Sequence, residues 1–230
     1  MLRDGAVLHT VAHQTTEEYS SWLLPAVDEA LEAAGVVLRD ADLYAVPPGP
    51  GSFTGVRIGL TTVKAWNEVF GKPIAAVTRL EALARQAVAT APFVAAAVNG
   101  LRGQIYAAIY KRSGNLNERI GEEMAIGAND FVSLVGKECG SQPVDWISTD
   151  AAMIEETPEW EARLAGADGV RQNEEIVRVP CVLAPAVGKL GLERAIQGKT
   201  VDALSLDAQY VRRPDAEVLW KGGMATSHGR

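Results

Sequence analysis

The feature that most limits how this chain can fold is a glycine-rich turn running straight into a helical pattern. It reads Gly49-Pro50-Gly51-Ser52-Phe53-Thr54-Gly55-Val56-Arg57-Ile58-Gly59 and continues through Trp66 to Phe70. A short apolar stretch, Leu43 to Val46, precedes it, and another, Pro73 to Val77, follows. Gly49 and Gly51 open backbone angles closed to other residues, and Pro50 stiffens the turn between them. Ser52 and Thr54 supply hydroxyls that can cap the free amides of a helix start, and the spacing predicts that helix from about Thr54 to Phe70. Strand, tight turn, helix and strand in this order predict an α/β layer rather than a bundle. Such a helix start carries partial positive charge, so Gly51, Ser52 and Thr54 form a candidate phosphate loop, with a purely structural turn as the plainer alternative. It is not a Walker A loop, because no Gly-Lys-Ser/Thr follows.

The rest of the chain repeats the alternation. Ala6 to Val11 reads as a strand after the Asp4-Gly5 turn signal. Thr15 and Glu18 have capping-box spacing, which predicts a helix beginning near Thr16. Tyr19, Trp22, Leu23, Ala26, Val27, Ala30 and Leu31 give that helix a broad apolar face, Pro25 interrupts it and Gly35 stops it. In the second helix, Gly55 and Gly59 cost about 1 kcal/mol each. They share a face with Thr62 and Trp66, and a bare face lets another helix approach closely. Thr78 and Glu81 repeat the capping box ahead of a helix to about Ala89. Beyond Pro92 come three strands, Phe93–Val98, Gln104–Tyr110 and about 118–126, the first two joined at the turn dipeptide Asn99-Gly100. Residues 127–175 are turn-rich and give little signal. A helix from Ala184 to Gln197 ends at Gly198. The expected division is an N-terminal α/β lobe over residues 1–91, a C-terminal α/β lobe over 92–217 and a tail over 218–230.

Composition narrows the function. The formal charge of −7 speaks against a surface built throughout to hold phosphate backbones. No apolar run approaches the roughly 20 residues that span a bilayer, and the N-terminus has no signal-peptide core, so a cytoplasmic, membrane-free protein is expected. Cys139 and Cys181 lie far apart and read as free thiols. His9, His13 and His228 are too scattered for a metal site. The carboxylate pairs Glu122-Glu123, Glu155-Glu156 and Glu174-Glu175 are sequence neighbours whose side chains point apart, which disfavours paired acid–base catalysis. Ser52 lacks a nucleophile-elbow context, and Trp146, Trp160 and Trp220 read as core or rim. No catalytic or metal constellation emerges.

Residues 49–59 closely resemble the GPGSFTGxRIG signature of the TsaB (YeaZ) family. Three further blocks agree in order and spacing: Val77–Ala84, Val98–Tyr106 and Ala208–Arg213. The resemblance implies an actin-like (ribonuclease H-like) fold of two α/β lobes. It also implies a non-catalytic subunit that binds and stabilises TsaD, which transfers threonylcarbamoyl to the adenosine beside the tRNA anticodon. The family's dimer surface is built by its first two helices. It maps here onto Trp22, Leu23, Ala26 and Ala30, and onto Gly55, Gly59, Thr62, Val63 and Trp66. Further implications are TsaE as another partner, tRNA contact through the complex, a homodimer when alone, and ATP or ADP at the complex interface without a cofactor of its own.

Two departures stand out. Relatives begin with a strand near "ILAIDTS" that this chain lacks, and Asn99-Gly100 replaces the usual Asp-Ala of the hairpin. The missing strand is expected mid-sheet, so a native chain longer by roughly 10–20 residues is expected. The rival readings are a stand-alone actin-fold kinase or ATPase, a glycoprotease label borrowed from relatives, and a homodimeric scaffold.

Overall fold

The structure, a computed structural model, describes residues 1–12, 19–87, 90–114, 116–166 and 174–212. The capping box at Thr15 and Glu18, His13, Arg213, Trp220 and His228 lie outside them. Strands β1 (Leu2–Arg3) and β2 (Ala6–Val7) form a hairpin whose turn residues Asp4 and Gly5 have φ of 52° and 78°. The expected strand to Val11 stops at Val7, because β1 offers only two residues to pair with. Helix α1 (Tyr19–Ala34) contains Pro25 and ends as expected at Gly35, φ 66°. There Val36 N–H bonds to the Leu31 carbonyl (3.1 Å) and Gly35 N–H to that of Glu32 (3.0 Å), satisfying carbonyls the helix end leaves open.

Next come β3 (Tyr44–Val46), α2 (Phe53–Phe70) and β4 (Ile74–Ala76), with β3 and β4 pairing in parallel from Tyr44↔Ile74 to Val46↔Ala76. Thr78 caps α3 (Arg79–Ala84), its hydroxyl accepting from Glu81 N–H at 3.1 Å. The helix is shorter than the expected run to Ala89. Leu60, Val63, Tyr44, Val46 and Ile74 form the core beneath α2. Among the described residues β3 pairs with β4 alone.

A second sheet starts at Phe93. Its strands are β5 (Phe93–Leu101), β6 (Gln104–Ser113), β7 (Leu116–Gly127), β8 (Val144–Ser148) and β9 (Ile176–Arg178), in the order β7-β6-β5-β8-β9. Helices α4 (Ala128–Cys139), α5 (Ala152–Glu155) and α6 (Pro158–Ala165) interrupt the later strands. The turn between β5 and β6 is displaced from its expected place. Asn99 and Gly100 stay in the strand as part of an irregularity, and the chain reverses at Leu101, Arg102 and Gly103, all at positive φ. Asn99 Oδ1 accepts from Leu101 N–H (2.8 Å), so the side chain stabilises this bend instead of entering a two-residue turn.

The continuous apolar run of β5 reflects burial on both faces. Phe93, Ala95 and Ala97 face the core that also contains Phe131 and Val135 of α4, Trp146 and Trp160. Val94, Ala96 and Val98 share the opposite core with Leu80 and Leu83 of α3 and with Val187 and Leu190 of α7 (Ala184–Ile196). Trp146 and Trp160 are core residues, 0% and 5% exposed. Cys139 is buried and Cys181 exposed, and neither is in a disulfide.

From Ala184 onward the chain returns to the first sheet. At Gly191 an added Cβ would come within 2.7 Å of the Ala45 Cβ, which is how closely α7 approaches β3. Val201 bridges Ile74, Leu206 enters the core beneath α2, and Gln209 N–H bonds to the Pro48 carbonyl (2.9 Å). Consecutive lobes divided at residues 91 and 92 do not anticipate this return, which depends on contacts more than 100 residues apart.

Candidate functional site

The glycine-rich turn is held from two directions. Gly49 accepts from Arg79 N–H at 2.8 Å, and Pro48 accepts from Gln209 N–H at 2.9 Å. Gly49 has φ 150°, and a Cβ there would collide with the Gln209 carbonyl, so glycine is required on both counts. The Gly49–Pro50 peptide is cis. Ser52 is the N-cap of α2: its Oγ accepts from Gly55 N–H (3.4 Å) and its carbonyl from Val56 N–H (2.9 Å). Of the candidate phosphate loop, Gly51 is half-buried while Ser52 and Thr54 are exposed at the mouth of α2.

Beside that mouth stands a cluster the sequence reading did not single out. Arg57 lies with its guanidinium carbon 3.7 Å from the Phe53 ring centroid, and its Nε donates to the Tyr210 hydroxyl at 2.9 Å. The two rings sit 5.0 Å apart. The i, i+4 spacing of Phe53 and Arg57 was readable, but Tyr210 joins them across 153 positions. On the other side of the turn, Arg212 Nη1 donates to the Gly100 carbonyl (3.0 Å), and Asn99 Nδ2 to Asp150 Oδ2 (3.0 Å).

Helices α1 and α2 pack side by side, and the expected interface residues divide between two environments. Gly55 faces the Tyr19 ring: an added Cβ would come within 3.2 Å of it. Gly59 faces Val46, Trp66 packs on Tyr44 with ring centroids 5.3 Å apart, and Val63 is buried in the core beneath α2. This glycine face therefore serves close packing inside the chain. Trp22, Leu23, Ala26, Ala30 and Thr62 are half-buried. Among the exposed residues on these helices are Tyr19 (46%), Leu24 (53%) and Val69 (72%), with Thr61 and Ala65.

Two charged groups lie deeper. Arg163 and Glu174 form a buried ion pair with Nε–Oε2 at 2.5 Å, and Glu174 also accepts from Trp146 Nε1 (3.1 Å) and Val144 N–H (3.2 Å). Glu123 is turned inward from β7 while Glu122 faces solvent, so these neighbours do point apart. Burial raises the Glu123 carboxyl above its ordinary range, with Glu81 and Glu122 adding to the shift and Thr78 and Arg119 opposing it. Burial likewise raises the Tyr110 phenol. Among the described residues no three His, Cys, Asp or Glu side chains are grouped to hold a metal, and His9 lies 3.5 Å from Glu29. No helix among them is long and apolar enough to cross a membrane.

With this geometry in hand, comparison with known proteins is decisive. Residues 7–148 match the family model described as TsaD: tRNA N6-adenosine threonylcarbamoyltransferase. The Escherichia coli tRNA threonylcarbamoyladenosine biosynthesis protein TsaB is 35% identical over 89% of this chain and 84% of its own. This chain belongs to the TsaB (YeaZ) family. The Bacillus subtilis protein of the same name is 26% identical over 96% of this chain and 91% of its own. A YeaZ-like Pseudomonas aeruginosa crystal structure superposes with a TM-score of 0.67 at 26% identity, covering 85% of each chain. The fold is the actin-like α/β fold of that family, and the structure assigns the signature segment two local jobs: it caps α2 and provides the glycine face on which Tyr19 and Val46 pack.

Proposed function

We propose that this chain is a non-catalytic subunit in the synthesis of threonylcarbamoyladenosine on tRNA, and that it binds and stabilises TsaD through α1 and α2. One observation carries the reading. Over its 16 residues α1 buries only Leu31 and leaves Tyr19 and Leu24 exposed. Helices in water draw most of their stability from burying an apolar face, so α1 needs a cover that the described residues do not provide. The Bacillus subtilis and Escherichia coli relatives, which span most of the chain, are named biosynthesis proteins, which supports a role in the pathway apart from the transfer step. A cytoplasmic location, tRNA contact through the complex, TsaE as a further partner, and ATP or ADP at the interface with Gly51, Ser52 and Thr54 at its edge go with this reading.

Co-expression with TsaD of the same organism, followed by size-exclusion chromatography with and without nucleotide, tests it. The expected result is one co-eluting species. Elution of the two chains apart, with this chain as a homodimer, would favour the scaffold reading instead. An ATPase assay on the isolated chain is expected to give no turnover, and robust turnover lost in Thr54→Ala would favour the kinase-like reading.

A further inference from the structure

Arg57 is fixed in position, and no carboxylate among the described residues neutralises it. Its guanidinium stacks on Phe53 at 3.7 Å, its Nε is bonded to the Tyr210 hydroxyl at 2.9 Å, and Tyr210 is anchored through the Gln209 N–H bond to Pro48. Among the described residues Nη1 and Nη2 have no hydrogen-bond or ion-pair partner. Phe53 and Tyr210 remain 37% and 43% exposed, so the cluster stands at the surface. A free arginine carries about 2 kcal/mol of rotamer entropy, and here much of that cost is met before anything binds. What is left is a rigid planar fork of N–H donors, whose best acceptor is a two-oxygen anion gripped bidentately.

We propose that Arg57, clamped by Phe53 and Tyr210, is the anchor at which a carboxylate of the partner protein docks. This rests on the reading that α2 faces the partner. Two observations favour a protein carboxylate over an RNA phosphate. The rings are engaged with each other and with Arg57, at 5.0 Å and 3.7 Å, so they do not form an open platform for bases, and the chain as a whole carries −7. The cluster also continues into an exposed row along α2, with Thr61, Ala65 and Val69 following Arg57 at four-residue steps. Steps of four keep side chains in one row on a helix surface. Arginine flanked by aromatics is the composition in which interface energy concentrates.

The test is calorimetric titration of the full chain with TsaD of the same organism at low and high salt, using wild type, Arg57→Met, Arg57→Lys and Phe53→Leu. Arg57→Met keeps the stem over Phe53 and removes the fork. It should weaken binding about tenfold or more, leave the melting temperature unchanged and flatten the salt dependence of affinity. Arg57→Lys, which keeps charge but not the fork, should lose most of the same affinity. Should Arg57→Met perturb folding, Arg57→Glu with a lysine replacing the partner's docking carboxylate should recover binding. Wild-type affinity in Arg57→Met overturns the anchor while leaving the partner reading intact. Loss of labelled tRNA binding with TsaD affinity retained overturns it in favour of a phosphate. Failure of the wild type itself to bind TsaD removes the partner reading, and this proposal with it.

Discussion

Helices α1 and α4 fare differently in the fold. Helix α4 buries five of its 12 residues, Ala128, Phe131, Val132, Val135 and Cys139, against the second sheet. Helix α1 is longer, carries Tyr19, Trp22, Leu23, Ala26, Val27, Ala30 and Leu31 on an apolar face, and buries Leu31 alone among its 16 residues. The second sheet explains the contrast: five strands give α4 a wide apolar floor, whereas α1 rests on the flank of α2 over a two-stranded sheet. One region closes its own core. The other leaves apolar side chains of α1, Tyr19 and Leu24, exposed.

The sharpest way to break this comparison is to remove a core side chain beneath α4. Phe131 is 0% exposed and packs edge-on to Trp146, with centroids 5.9 Å apart. Phe131→Ala should cost about 3–5 kcal/mol, read from urea denaturation midpoints. Glu174→Ala should cost a similar amount, about 3–5 kcal/mol, because the Arg163 charge, with a side chain only 4% exposed, loses its partner. A loss below about 1 kcal/mol in both would mean that the second lobe is no better closed than the first.

The same logic predicts the opposite outcome on α1. Leu24 is 53% exposed, so Leu24→Glu should change stability by less than about 0.5 kcal/mol, since glutamate is as good a helix former as leucine. If α1 is an interface helix, the substitution should nonetheless weaken TsaD binding about tenfold, or ~1.4 kcal/mol, in the same titrations. A large stability loss without a binding defect would show that α1 matters to this chain alone.

How much of this could be read from residues follows from the range of each signal. Caps and stops are local, and Ser52, Thr78, Gly35 and Gly198 act where the spacing puts them. The signature loop and the alternation of strands and helices are local too, so the α/β architecture and the loop before α2 were legible. The hairpin reversal was misjudged because Asn99 stabilises a bend two residues later through its own side chain. Tyr210 against Arg57, Glu174 against Arg163, and α7 against β3 depend on pairs that local spacing does not link, for which a single sequence holds no periodic signal. The inward turn of the Gly55–Gly59 face was ambiguous for a different reason. A bare helix face fits a partner helix and the chain's own Tyr19 or Val46 equally well, and only the fold distinguishes them.

The smallest effect concerns the buried carboxyl between the two regions. Glu123 has a side chain 4% exposed; Arg119 Nη1 is 3.7 Å from its Oε1, and the Thr78 side chain also favours its charged form. Tyr110 from β6, Thr78 and Glu81 from α3, and Arg119 and Glu122 from its own strand surround it electrostatically. Burial dominates and holds the carboxyl above its ordinary range. A folded-state value raised above the unfolded one means that the native chain binds the proton more tightly. Stability from this group is therefore complete below the ordinary carboxylate range and is lost as pH rises through the raised value. Glu123→Gln keeps the shape and cannot ionise. It should stabilise the chain by about 1 kcal/mol above that value and by progressively less toward pH ~4.3, the ordinary glutamate value. Melting curves of the two proteins, compared between weakly acid and weakly alkaline pH, should converge at the acid end. A gap that stays constant with pH, or one that opens toward acid, would mean that Arg119 compensates the charge fully and that Glu123 is ionised in the folded protein.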